Sequence, residues 1–331
     1  MAAYTTIDDP SAYFKVQLYT GTGSSTAFAF DDTDTDMQPD LVWLKIRADD
    51  THNVYDSVRG AQKRIETSTN DAEATDSNGL TAFGSDGFTL GSGNQANPSS
   101  GTAVAWCWKE SATAGFDIVS YTGNGTDDTD ISHNLSAVPH LIIVKNRATA
   151  DDWQVYHSKN TAAPETDYLV LNAADASVDA ADRWSDEAPT SSVFTLGDGD
   201  EVNTNTEAYI AYAFAPKQGY SKFGSYLGNG NADGTFVFLG FRPAFVLIKG
   251  PGSTNWHIYD DQRLGYNVDN NMLRANLSAE EQTDDDLDLL SNGFKIRRNT
   301  SALATDGGNY VYAAFAKAPI VNSNGVPVTA R

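Results

Sequence analysis

The sequence predicts an all-β protein built from three tandem β-sandwich modules of a jelly-roll-like kind, with little helix. Three observations lead there. One pattern recurs three times along 331 residues. Its conserved segments are short apolar runs rich in β-branched and aromatic residues, which suit strands. Between them stand Asn-Gly, Asp-Gly and Gly-Asn pairs such as Asn78-Gly79, Asp86-Gly87 and Asn292-Gly293, which supply positive φ in tight turns.

The repeat can be followed in order. "YTGTGSST" (19–26), "YTGNGTDD" (121–128) and "YLGNGNAD" (226–233) come first, and read as the hairpin between the first two strands of each module. About twenty residues on come "PDLVWLKIR" (39–47), "PHLIIVKNR" (139–147) and "PAFVLIKGP" (243–251), each opened by a proline at a position strands tolerate. "HNVYDS" (52–57), "WQVYHS" (153–158) and "WHIYDD" (256–261) follow, then "DGFTLG" (86–91), "SVFTLG" (192–197) and "NGFKIR" (292–297). The aromatic strands "TAVAWCWKE", "AYIAYAFAPK" and "YVYAAFAKAP" close the units. A unit of about 100 residues exceeds the ~20–50 residues of solenoid or propeller repeats and has the size of a small domain. The boundaries are an N-terminal arm (1–11), modules at 12–110, 114–217 and 219–318, and a C-terminal tail (319–331). The alternative is that the copies share sheets in one larger body. The best helix candidate is 277–293, with Ser278 and Glu281 spaced as a capping box and Gly293 as a stop.

Asp and Glu number 44 against 22 Lys and Arg, a formal charge of −22. Such a field repels nucleic acid and anionic lipid, so neither is expected as a partner. No apolar run is long enough to span a bilayer and the start lacks signal-peptide character, so membrane insertion is not expected. The single cysteine, Cys107, reads as a buried strand thiol. Five dispersed histidines form no ligand or catalytic spacing and are assigned packing or surface roles. Trp153 and Trp256 recur at one position and are assigned to the core. Lys45, Lys145 and Lys249 recur at strand ends, where a lysine ordinarily reaches solvent and guards an edge. The acidic runs 31–37 (with Asp32, Asp34 and Asp36), 198–201 and 284–288 fail the calcium-loop pattern and read as solvated edges. No catalytic motif stands out, so no enzyme activity, cofactor or metal is expected. Trp184, in the polar connection "ADRWSDEAPT" of the middle unit only, is expected at the surface. With Arg183 and Asp186 it forms a candidate carbohydrate-binding group: an aromatic face for the sugar ring and planar polar groups for its hydroxyls.

The segments 120–158, 188–215, 41–61 and 82–91, with the ending "AFAKAPIVNSNGVPVTAR", resemble a family of roughly 100-residue modules in structural proteins of tailed bacteriophages of marine bacteria and cyanobacteria. The resemblance covers nearly the whole chain and is strongest in the middle unit; the third departs from it at "RNTSALATDGGN". It implies a virion protein, assembled in the host cytoplasm, whose partners are other virion proteins. The expected role is a tail fibre or receptor-binding component contacting host surface glycans. A capsid decoration, cement or head-fibre protein is the alternative, and a glycan depolymerase a further one. By the same analogy a homo-oligomer, with a trimer favoured, is expected.

Overall fold

The computed structural model describes residues 3–30, 35–263, 267, 270–284 and 286–328. The first repeat contains β1 (Phe14–Thr20), β2 (Thr26–Ala29), β3 (Leu41–Ile46), β4 (His52–Asp56), β5 (Lys63–Glu66), β6 (Ala74–Thr75), β7 (Leu80–Gly84), β8 (Gly87–Leu90) and β9 (Thr102–Trp108). The second contains β10 (Phe116–Thr122), β11 (Thr129–Ser132), β12 (Leu141–Asn146), β13 (Gln154–His157), β14 (Asp167–Val170), β15 (Val178–Asp179), β16 (Val193–Leu196) and β17 (Ala208–Phe214). The third contains β18 (Ser221–Leu227), β19 (Phe236–Phe238), β20 (Phe241–Lys249), β21 (Trp256–Asp260), β22 (Asn270–Arg274), β23 (Gln282–Asp284), β24 (Leu287–Leu290), β25 (Gly293–Ile296) and β26 (Asn309–Pro319). The α-helices among the described residues are single turns, α1 (Ala181–Trp184) and α2 (Asp200–Asn203).

Each repeat makes one six-stranded antiparallel sheet, in the orders β1-β9-β3-β4-β5-β6, β10-β17-β12-β13-β14-β15 and β18-β26-β20-β21-β22-β23. A small sheet covers one face of each: β2-β8-β7, β11-β16 and β19-β25-β24. The protein is therefore all-β, with three unequal sandwiches. No sheet takes strands from two repeats. The segment 277–293 is not helical: β23 and β24 lie inside it. Leu287 and Leu289 are buried while Asp288 and Leu290 are half-exposed, a two-residue alternation that pairs β24 with β25.

The glycine segment is not a hairpin either. β10 pairs with β17 and β11 with β16, so 121–128 carries the chain from the large sheet to the small one. The loop before the last strand grips it. Asn203 accepts from Asn124 N (2.9 Å) through Oδ1, and donates through Nδ2 to Thr126 O (2.8 Å) and Gly197 O (2.9 Å). Asn97 repeats this in the first unit, accepting from Thr22 N and donating to Ser24 O and Gly91 O, each at 2.7 Å. In the third unit Ala304 O receives Gly230 N (2.7 Å), and alanine offers no amide. The two glycines have separate causes. A Cβ on Gly21, Gly123 or Gly228 would sit 2.2 Å from the carbonyl oxygen of Pro98, Thr204 or Thr305. Gly23, Gly125 and Gly230 take φ of 68°, 66° and 64°, where a side chain is strained. Asn203→Ala and Asn97→Ala are each expected to lower the urea midpoint, by about 1–3 kcal/mol of stability, because buried carbonyls lose their donor. An unchanged midpoint in both variants would remove the clasp as the reason for the motif.

The repeats pack against one another through the second face of their large sheets. Along β3, Val42 and Leu44 belong to the core inside the first sandwich, while Leu41 and Trp43 belong to a core common to all three repeats. β12 divides in the same way, Ile142 and Val144 inward and Leu141 and Ile143 toward the common core. Burial on both faces explains why these strands read as continuous apolar runs. Equivalent aromatics ending β9, β17 and β26 meet as a triangle: Trp108–Phe214 at 6.4 Å, Phe214–Phe315 at 5.7 Å and Trp108–Phe315 at 5.5 Å between ring centres, all edge-on. Beside them lies an apolar cavity of ≈ 40 Å³ whose walls include Trp43, Trp153, Leu247 and Ala313.

Contacts between repeats run in one cyclic sense, so the three form a closed head-to-tail ring. Trp153 Nε1 donates to Glu66 O of the first repeat (2.9 Å), Trp256 Nε1 to Val170 O of the second (2.8 Å), and Thr67 Oγ1 to Ala275 O of the third (2.7 Å). Asp56 Oδ2 accepts from Tyr212 OH (2.7 Å) across one seam and Asp260 Oδ2 from Trp106 Nε1 (3.0 Å) across another. At the third seam the equivalent residue is His157. Its Nδ1 accepts from Lys159 N (3.1 Å), which leaves Nε2–H to donate to Tyr312 O (3.1 Å). Burial holds this imidazole neutral, its pKa lowered to about 4. The arm before β1 also touches the third repeat, through Tyr4 OH to Gly240 O (2.7 Å), and Asp8 Oδ1 accepts from Ser323 N (2.6 Å).

Candidate functional site

The group nominated from sequence does not present an aromatic face. Trp184 is 2% exposed, not at the surface, and its ring packs edge-on to Tyr156 at 6.0 Å inside the second sandwich. The polar composition of its connection misled: α1 is one turn, and it turns this single apolar side chain inward. Arg183 is buried beside it, with ion pairs to Asp182 (2.7 Å) and Glu201 (2.8 Å) and its guanidinium 4.8 Å from the centre of the Tyr168 ring. Asp186 alone of the three is exposed. Arg183 is thus already engaged, and no sugar can stack on Trp184.

The recurring lysines are also not at the surface. Lys45, Lys145 and Lys249 are 0%, 0% and 1% exposed. Lys45 Nζ donates to Ile46 O (2.5 Å) and Ala48 O (2.6 Å), Lys145 Nζ to Asn146 O (2.6 Å), and Lys249 Nζ to Gly250 O and Gly252 O (each 3.0 Å). Each ammonium thus binds carbonyls of the loop that follows its strand, at the boundary with a neighbouring repeat. Burial lowers all three pKa values to about 8.

A cluster of acids lies at the joint of the first and second repeats. Glu110 accepts from Ile118 N (3.1 Å) and is hydrogen-bonded to Asp117; Asp117 accepts from Asn134 N (2.7 Å), and Asp40 from Glu110 N (2.9 Å). Burial, then the neighbouring Asp117, pushes the Glu110 carboxyl up to about 7. A pair in direct contact lacks the ~5 Å gap that a glycosidase pair needs. Among the described residues no three His, Cys, Asp or Glu side chains are grouped to hold a metal ion; Asp32 and Asp34 lie outside them.

These shifts fix the sign of a pH profile. A lysine at about 8 in the folded chain and near 10.5 unfolded leaves the unfolded state holding more protons between those values, so stability rises with pH there. The buried tyrosines, with pKa values raised above 10, reverse the sign beyond pH 10. For Glu110 the folded state keeps its proton from 4.5 to about 7, so its contribution falls across that window. The urea midpoint is expected to climb from about pH 8 to 10 and then drop. The difference between wild type and Glu110→Gln is expected to shift between about pH 4.5 and 7 and to be flat above. A midpoint that stays level from 8 to 10 would contradict the burial of charged lysines.

The largest polar cleft described is between the first and third repeats, ≈ 330 Å³, bounded by β1, the Asp9–Ser11 turn and the ends of β20, β21 and β26. Sequence gave no sign of it, because Lys15 and Asp261 fall in segments that do not recur as a motif.

One family pattern matches residues 9–319, all three repeats together. The chain belongs to the DUF7483 family. That family is described as a domain of unknown function. No curated protein and no solved structure matches the DUF7483 chain.

Proposed function

We propose that this DUF7483 member is a surface protein of a tailed-bacteriophage virion, acting as a tail-fibre or receptor-binding component that contacts host glycans. The observation that supports it is the closed ring: one chain offers three similar sandwiches about a single axis, a form suited to capping a three-fold assembly. The apolar strands that suggested subunit faces are instead used between repeats, so the three-fold character expected of a homotrimer lies within one chain. Glycan contact is moved from Trp184 to Phe236 and Phe238, 43% and 53% exposed on β19, whose equivalents in the other repeats are smaller. A capsid-decorating role is the second reading, favoured by the arm and tail folding back together at Asp8 and Ser323. Gold-labelled antibody on purified virions separates them. Label at the tail tip supports the first reading and label over the head the second; particles without label would sink both. Loss of host-cell binding in Phe238→Ala is expected under the first reading alone.

A further inference from the structure

The cleft between the first and third repeats has the form of a strand groove. Five successive residues, Phe14 to Leu18, line it, so it follows β1 lengthwise. β1 is the outermost strand of its sheet and pairs only with β9, leaving a row of N–H and C=O groups with no strand beside it. The two-residue alternation sorts the walls. Val16 and Leu18 pack half-buried on the common core, and Lys15 and Gln17 point the other way.

Lys15 is 7% exposed. Its Nζ lies 5.1 Å from the centre of the Phe30 ring and has no hydrogen-bond partner. The nearby acids are engaged elsewhere. Asp9 accepts from Ser11 N (3.0 Å), Ser11 Oγ (2.6 Å) and Thr35 Oγ1, and Asp261 from Gln262 Nε2 (3.0 Å). A buried ammonium without a counter-group is costly, and an anion entering the cleft would relieve it.

We propose that this cleft receives an extended acidic segment of a partner protein as an added strand, with one of its carboxylates on Lys15 Nζ. The segment's backbone bonds to the open edge of β1, as strand addition requires. Apolar side chains at alternate positions lie against Val16, Leu18, Ala244 and Ala316, and the acids between them face Lys15. Exposed Lys317 on the rim adds a second positive charge. A different chain is the occupant because two copies at −22 each repel as bodies. The inference stands apart from the virion reading, since it rests only on the cleft.

The test uses the full chain and a labelled, end-blocked octapeptide of alternating valine and aspartate. Saturable binding by fluorescence anisotropy is expected, with slowed amide exchange at residues 14–18. Lys15→Met is expected to weaken binding at least tenfold, and so is replacing the peptide's aspartates with asparagine. Lys15→Met should fold at least as stably as wild type, since it removes an unpaired buried charge. No saturable binding, or equal binding by Lys15→Met, overturns the proposal. Competition by free acetate with no protection of residues 14–18 would make this a small-carboxylate site and overturn strand addition. Self-association abolished by Lys15→Met, without peptide binding, would put a second copy in the groove and overturn the partner.

Discussion

A fragment spanning 114–217 is expected not to fold cooperatively alone, although its strands form a complete sheet and sandwich. Cut out, the middle repeat would expose Phe116, Ile143, Trp153, Tyr212 and Phe214, which the other repeats cover in the common core. Each aromatic accounts for roughly 150–250 Å², so the bared face far exceeds the few hundred Å² that a soluble surface tolerates. The Trp153 indole would also lose Glu66 O, and Tyr212 its Asp56 acceptor. The expected result is a broad thermal transition with strong binding of an apolar dye, against one sharp transition for the full chain. A sharp, dye-free transition in the fragment would show that the common core is dispensable to each repeat. A family pattern extending over 9–319 without a break fits the larger unit.

The second large effect is expected at the charged seams. Arg59 and Arg263 are fully buried side chains, paired to Asp56 at 2.5 Å and Asp260 at 2.6 Å and tied onward to Glu73 and Glu281. Those glutamates cross to Arg147 (2.9 Å) and Arg47 (2.6 Å) of the adjoining repeats. Asp56→Ala or Asp260→Ala leaves a guanidinium buried with half its partners, which costs about 3–5 kcal/mol. His157→Ala removes one neutral hydrogen bond and some packing, so about 1–2 kcal/mol is expected. Chemical denaturation of the three variants checks the order. If His157→Ala proves the most damaging, the charged networks do not hold the ring.

Strand identity was legible because it rests on local chemistry: β-branched runs, a proline at the entrance and glycine pairs between them. What lay across the chain was not. "YTGNGTDD" carries every mark of a hairpin turn, yet the partner of its glycines is Asn203, some eighty positions away. Lys45, Lys145 and Lys249 stood at strand ends, where exposure is usual; the carbonyls that hold them come from loops whose path no spacing reveals. Trp184 was misplaced because polar neighbours say nothing about which way a single helical turn faces. The recurrence of Asp56 and Asp260 with arginine three residues on, and of histidine in their place at 157, was visible in the aligned repeats. Its meaning required knowing that the repeats touch.

The bond between Asp8 and Ser323 has a consequence for connectivity. With the segments before β1 and after β26 side by side, and the 110–115 linker joining neighbouring repeats as that junction would, the order first, second, third is one of three equivalent readings of a circle. A chain opened at 110–115 and sealed between 8 and 323 would meet every seam with its original residues. The fold is thus specified by which repeat follows which around the circle, and where the ribosome begins is incidental to it.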